Sequence, residues 1–189
     1  MKRIFIAVDI NKSRPFTRLV ESYKQLLKNE KIRWVQADNI HLTLAFLGNK
    51  DEEQVNRVGD IMCEVVKNYE PFEISFNVTG VFRDIRKPRV IWLGIKAPQL
   101  LYEMQGMICD KLKKEGLYEE DKPFKPHLTI GRMKYIVERE ILSAIVESAE
   151  AYNLPPQPVN ELILYESITK PEGPVYYPLR KARLKNPGQ

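Results

Sequence analysis

The chain has 189 residues, 43% of them hydrophobic, and 30 Lys and Arg stand against 25 Asp and Glu for a formal net charge of +5. That size and apolar content suit one domain or two small lobes with a real core, and no apolar run approaches the ~18 residues that a membrane span needs. The basic balance, with a pI near 9.1, favours an anionic partner such as RNA.

Residues 3–10 read as a first strand; the segment lacks a long apolar region followed by a small-residue cleavage site, so the expected location is cytoplasmic. Ser13 is placed to cap a helix running to about Asn29, with Pro15 in its first turn. Phe16, Leu19, Val20, Tyr23, Leu26 and Leu27 fall at helical spacing and form its buried stripe. A short strand, Ile32–Val35, precedes a strand carrying His41-Leu42-Thr43-Leu44 and closed by Gly48. Asp51 and Gln54 form a capping box for a second helix with the stripe Val55, Val58, Met62, Val65, Val66 and Tyr69. Residues 72–82 form a strand and 83–88 a basic turn.

The pattern then begins again with a strand at 89–95 and a helix opened by Pro98 and ended by Gly116. The loop 121–126 delivers the strand of His127-Leu128-Thr129-Ile130, followed by a helix over about 138–152 and a strand at 159–165. A last strand, about 175–184, ends in the basic run Arg180–Lys185. Cys63 and Cys109 fall within helices, in no metal-type spacing, and read as plain buried thiols.

A shift of 86 residues lays Ile4 on Val90, Phe16 on Tyr102, His41 on His127 and Val55 on Ile141. Both copies, approximately 3–80 and 89–166, read strand, helix, motif strand, helix, strand, as expected of a duplicated α+β lobe within one domain spanning 1–189. Two such lobes about an approximate twofold would bring equivalent strands to opposite walls of one groove.

The two tetrads hold the only histidines in the chain, which has just five threonines. The chance that both histidines have a threonine two places on is on the order of one in a thousand. In a strand, alternate side chains leave opposite faces. Leu42, Leu44 and Phe46 would then point into a core, as would Leu128 and Ile130, while His41, Thr43, His127 and Thr129 point outward together. Two histidines, with Asp9 as an added candidate, fall short of a usual zinc set, and no HExxH is present; no metal or cofactor is expected. GxSxG, GxGxxG and Walker motifs are absent too. What remains is acid–base chemistry by two imidazoles, whose pKa of ~6.5 serves either role. Thr43 and Thr129 would hydrogen-bond the non-bridging oxygens of a phosphate held between them.

His41-Leu42-Thr43-Leu44-Ala45-Phe46-Leu47-Gly48 and Pro126-His127-Leu128-Thr129-Ile130-Gly131-Arg132 resemble the paired motifs of the two-histidine (2H) phosphoesterase superfamily. Within it the chain is most similar to the RNA 2′,3′-cyclic phosphodiesterases, also called 2′-5′ RNA ligases, with Arg3–Ala7, Pro88–Trp92 and Tyr177–Arg180 as weaker support. The resemblance implies a bilobal α+β fold with antiparallel sheets lining a central cleft and helices outside. It also implies metal-independent opening of a 2′,3′-cyclic phosphate at an RNA end to a 2′-phosphate, and 2′-5′ ligation when the chemistry runs backward. By carry-over, His41 is the general acid and His127 the base. The implied partner is RNA with such an end, tRNA fragments included, acted on by a monomer with no membrane. Rival readings are an RNA-end binder without turnover, and an enzyme for 2′-5′-linked oligonucleotides or small cyclic phosphates.

Arg132 suits a phosphate contact, yet strict alternation sets it beside Leu128 and Ile130 unless Gly131 permits a bulge. Phe46, Trp34 and Phe124 are candidates for stacking on a base. The Arg83–Arg89 turn and the C-terminal basic strand are candidate RNA-backbone tracks.

Overall fold

The structure is a computed structural model that describes residues 1–83, 85–120, 122–147 and 154–185. Asp84, Asp121 and the 148–152 end of the fourth predicted helix lie outside that set. The elements in chain order are β1 (Lys2–Asp9), α1 (Arg14–Leu26), β2 (Lys31–Trp34), a 3₁₀ turn (Ala37–Asn39), β3 (His41–Lys50), α2 (Glu52–Val66) and β4 (Phe72–Phe82). They continue with β5 (Val90–Lys96), α3 (Gln99–Lys114), β6 (His127–Tyr135), α4 (Arg139–Glu147), β7 (Gln157–Val159), β8 (Glu161–Lys170) and β9 (Gly173–Arg183).

Most predicted elements are present, and the departures have local causes. Ser13 takes the N-cap position of α1, but its side chain makes no capping hydrogen bond and its buried hydroxyl has no partner among the described residues. The helix stops at Leu26, where Leu27 turns inward as the next buried residue and leaves Leu26 52% exposed, outside the expected stripe. The Asp51–Gln54 capping box forms with both of its hydrogen bonds. Gly116, at φ +67°, ends α3 in a Schellman arrangement: its N–H donates to the Lys113 carbonyl and that of Leu117 to Leu112. The strand predicted at 159–165 divides into β7, which pairs with β4, and β8, which pairs with β1 and β9.

All pairings are antiparallel, in the order β7-β4-β5-β6-β3-β1-β8-β9, with β2 beside the far end of β6. The two expected sheets are halves of this one path and meet at a single β3–β6 pair, Leu42 opposite Leu128. Under the 86-residue shift β1 corresponds to β5, β3 to β6 and β4 to β8. One half runs β3-β1-β8 and the other β6-β5-β4, so each takes its third strand from the other copy of the repeat.

One face of the sheet meets the helices in a single core. Ile4, Ile6, Val8, Leu42, Leu44, Ile91, Leu93, Leu128 and Ile130 enter it from the strands, and Phe16, Val58, Met62, Leu101, Met104 and Ile108 from the helices. Cys109 is buried and Cys63 half-buried, both as free thiols. No helix among the described residues is long and apolar enough to cross a membrane. The opposite, open face of the sheet carries the motif histidines.

Candidate active site

The central β3–β6 pair sets the frame of the site. With Leu42 opposite Leu128 and both in the core, the antiparallel register sets His41 and Thr43 of one strand beside Thr129 and His127 of the other, on the open face. The Thr43 and Thr129 hydroxyls are half-buried and make no hydrogen bond to another protein group among the described residues. Both remain available to a ligand.

Each imidazole is anchored in the same way. His41 Nδ1 lies 2.8 Å from the carbonyl oxygen of Asn39, and His127 Nδ1 lies 2.7 Å from that of Lys125. A carbonyl can only accept, so Nδ1 carries the proton and donates, and the neutral ring presents the Nε2 lone pair to the open face. The anchor stands two residues before the histidine in both copies. Because the acceptor is a main-chain carbonyl and the residues there are Asn39 and Lys125, nothing in the sequence marked this contact.

Aromatic rings wall in both histidines. Phe5 stacks on His41 with centroids 4.8 Å apart, Tyr176 meets His41 edge-on at 5.1 Å, and Tyr165 stacks behind Phe5 at 5.3 Å. Around His127, Phe82 stands edge-on at 4.7 Å and Trp92 at 6.2 Å. The Trp92 indole lies over Gly80, where a β-carbon would come within 2.3 Å of the ring. Only glycine leaves that room. The Trp92 N–H is buried and has no acceptor among the described residues.

Burial among these rings removes water from a charged imidazolium and so favours the neutral form. Desolvation pushes His41 down to about 4, against the raising effects of the Asn39 carbonyl and of Asp9, while Lys12 and His127 lower it further. His127 is also lowered, first by desolvation and then by the Arg132 guanidinium, against the Lys125 carbonyl. Both rings are therefore neutral near pH 7, and neither Nε2 has a hydrogen-bond partner among the described residues.

Two bulges decide which other motif residues reach the open face. Ala7 pairs with Thr43 but Ile6 pairs with Ala45, so Leu44 is an extra residue in β3. Trp92 pairs with Thr129 but Ile91 pairs with Gly131, so Ile130 is extra in β6. Each insertion reverses the alternation beyond it. Phe46, expected in the core, is instead 57% exposed beside Phe5, at 5.8 Å between centroids. Arg132 likewise faces outward, paired with Val90 and close enough to His127 and Tyr176 to act on their charges. The two bulges are equivalent under the repeat, and so are Phe46 and Arg132.

Trp34 and Phe124 lie elsewhere. Trp34 packs on the core face of Gly131, where a β-carbon would come within 3.2 Å of its ring, so it does not share the face that bears the histidines. Phe124 packs at the core edge against Tyr102 of α3, at 5.8 Å. Alternation within a strand does not reveal its register with a neighbour, and neither placement was legible locally. Phe5, Tyr165, Tyr176, Phe82 and Trp92, absent from the sequence-based set, form the walls. Trp92, between Ile91 and Leu93, and Phe5, between Ile4 and Ile6, shared one local signal, an aromatic residue at the outward position of an apolar strand. Among the described residues no three His, Cys, Asp or Glu side chains gather where a metal ion could be held.

Comparison with known proteins agrees with this geometry. The family model described as LigT-like phosphoesterase matches residues 8–92 and again 93–176. An RNA 2′,3′-cyclic phosphodiesterase of Archaeoglobus fulgidus is 35% identical over 94% of this chain and 98% of its own. One of Methanothermobacter thermautotrophicus is 30% identical over 96% and 98%. Among solved structures, TT0787 of Thermus thermophilus superposes with a TM-score of 0.76 at 28% identity, covering 98% of this chain and 99% of that one. Escherichia coli LigT, solved with 3′-AMP, superposes with a TM-score of 0.71 at 26% identity over 97% and 98%. With both HxTx strands paired across one open face and the family match running through both copies, the chain belongs to the LigT-like phosphoesterase family and is an enzyme.

Proposed function

We propose that this phosphoesterase hydrolyses the 2′,3′-cyclic phosphate at the end of an RNA, leaving a 2′-phosphate and a free 3′-hydroxyl, by metal-independent catalysis with paired histidines. The observation that carries the reading is the pair of imidazoles, each locked through Nδ1 to the carbonyl two residues upstream and each presenting Nε2 beside a free threonine hydroxyl. Relatives named RNA 2′,3′-cyclic phosphodiesterase support the substrate class.

The cyclic phosphate sits between the two rings. His127 Nε2 takes a proton from water as the water oxygen bonds to phosphorus. The bond from phosphorus to O3′ breaks, and His41, protonated at Nε2, gives its proton to the departing O3′. The phosphate anion raises the proton affinity of the nearby imidazole and restores to His41 the proton that burial among the rings disfavours. The Thr43 and Thr129 hydroxyls and the Arg132 guanidinium donate to the non-bridging oxygens, stabilising charge as it accumulates there. With an RNA 5′-hydroxyl attacking phosphorus in place of water, the same two proton transfers join a 2′-5′ linkage, and their reversal cleaves it.

The test is incubation with an RNA ending in a 2′,3′-cyclic phosphate in the presence of EDTA, with identification of the product. A 2′-phosphate is expected, with turnover reduced by about 10²–10⁴ in either His41→Ala or His127→Ala. Undiminished turnover in the double variant, or dependence on a metal, would overturn the mechanism. Tight binding with no product after long incubation would leave an RNA-end binding protein instead.

A further inference from the structure

Part of the C-terminal basic run conspicuous in the sequence is paired with carboxylates in the fold. Arg180 is paired with Asp60 and Lys181 with Glu161, each at 2.7 Å, and on the helices Arg57 pairs with Glu115 and Lys111 with Glu64. A different cluster, drawn from distant parts of the chain, lies beside the site. Arg33 of β2 stands directly opposite Arg132 of β6. Like charges opposite one another in an antiparallel pair destabilise it. Lys2 and Lys50 are also opposite one another, but Glu166 lies 3.8 Å from Lys2. No carboxylate lies within ion-pair distance of Arg33 or Arg132 among the described residues, and both are exposed. The arrangement calls for an anion from outside the protein.

Register sets the direction of these side chains. Ile32 and Trp34 pack against the core, so Lys31 and Arg33 leave β2 on the open face that also bears Arg132 and the histidines. Further along the same ribbon, the Lys31 ammonium lies 5.4 Å from the centroid of Tyr135, whose ring is 52% exposed. Along β6, Arg132 is roughly 10 Å and Tyr135 roughly 20 Å from Thr129. The outer edge of β2 pairs with no strand among the described residues, so nothing in the sheet covers the ribbon from that side.

We propose that the β2–β6 ribbon holds the sugar-phosphate backbone of the RNA strand leading to the reacting end. Arg33 takes the internucleotide phosphate next to the cyclic one, and Lys31 with Tyr135 takes the nucleotide beyond. The proposal rests on the hydrolytic reading above and adds a preference for a polynucleotide over a mononucleotide. Cations positioned along an extended strand bind its backbone without reading sequence, and an exposed aromatic ring can stack on any base.

The experiment compares a hexaribonucleotide ending in a 2′,3′-cyclic phosphate with a 2′,3′-cyclic mononucleotide, using wild type, Arg33→Ala and Lys31→Ala. Arg33→Ala is expected to lower the ratio of kcat/KM for the hexamer to that for the mononucleotide about tenfold, through KM, and Lys31→Ala about threefold. The log–log salt slope of hexamer binding should flatten by about 0.7 for each cation lost. Equal losses on both substrates, or no loss on the hexamer, would overturn the track. Should wild type turn over neither substrate, the hydrolytic reading fails by itself. The track is then decided by fluorescence anisotropy of a labelled hexaribonucleotide, where an unchanged Kd in Arg33→Ala would refute it. Melting temperatures of both variants identify any loss that comes from misfolding.

Discussion

At the scale of single residues, the dry environment of His41 has a consequence for stability. Its folded-state pKa of about 4 lies below the ~6.5 of an exposed histidine, so between these values the unfolded chain binds the extra proton. The contribution is complete above about pH 6.5, falls as the pH drops, and is gone below about 4; its size is up to about 3 kcal/mol. His127 acts in the same direction. Urea unfolding at pH 7.5 and pH 4.5 checks this: wild type should lose more stability on acidification than His41→Gln does, because the carboxylates common to both cancel in the difference. Equal losses would mean that the rings around His41 do not exclude water as described. The histidines and threonines themselves were legible from their pairing and their alternation. Their ring neighbours were not, because Phe5, Tyr176 and Phe82 come from strands whose lateral order no local pattern encodes.

At the scale of elements, bulges and clasps decide what alternation leaves open. One inserted residue in each motif strand carries Phe46 and Arg132 to the open face, whereas strict alternation would bury both. Gly131 hinted at one of these, since Ile32 and Ile91 crowd the space a β-carbon would take there; nothing comparable marked Leu44. The β8–β9 hairpin is held to the site by a clasp at Asn39. Its side-chain nitrogen donates to the Pro174 carbonyl at 2.7 Å, while its own carbonyl accepts from His41. That tie brings Tyr176, two residues beyond Pro174, edge-on to His41. Asn39→Ala keeps the backbone carbonyl and removes the tie. It should cost about 1 kcal/mol of stability and lower kcat more than it raises KM, with a shift in the pH profile as the Tyr176 edge loosens from His41. Steady-state kinetics across pH on a cyclic mononucleotide would show this; a change in KM alone would mean the clasp does not position His41.

At the scale of the whole molecule, the repeat and the sheet halves do not coincide. Each half takes its third strand, β4 or β8, from the other copy. A fragment covering residues 1–87 keeps β1 and β3 but loses β8, and leaves β4 without β5, so apolar strand faces have no partner. That fragment is expected to show no cooperative thermal transition by circular dichroism, and mixing it with residues 88–189 should restore one. A cooperatively folded single copy would contradict the exchange.

The sequence by itself determined the element types, the capping box, the duplicated order and the two HxTx strands, because periodicity and capping depend on residues within a few positions of one another. The tertiary structure alone decided the strand exchange, the bulges, the rings around each imidazole and the meeting of Arg33 with Arg132. Each of these depends on which residue of a distant strand lies opposite, and a register shift of one residue, which leaves the local pattern intact, turns a side chain from the core to the open face.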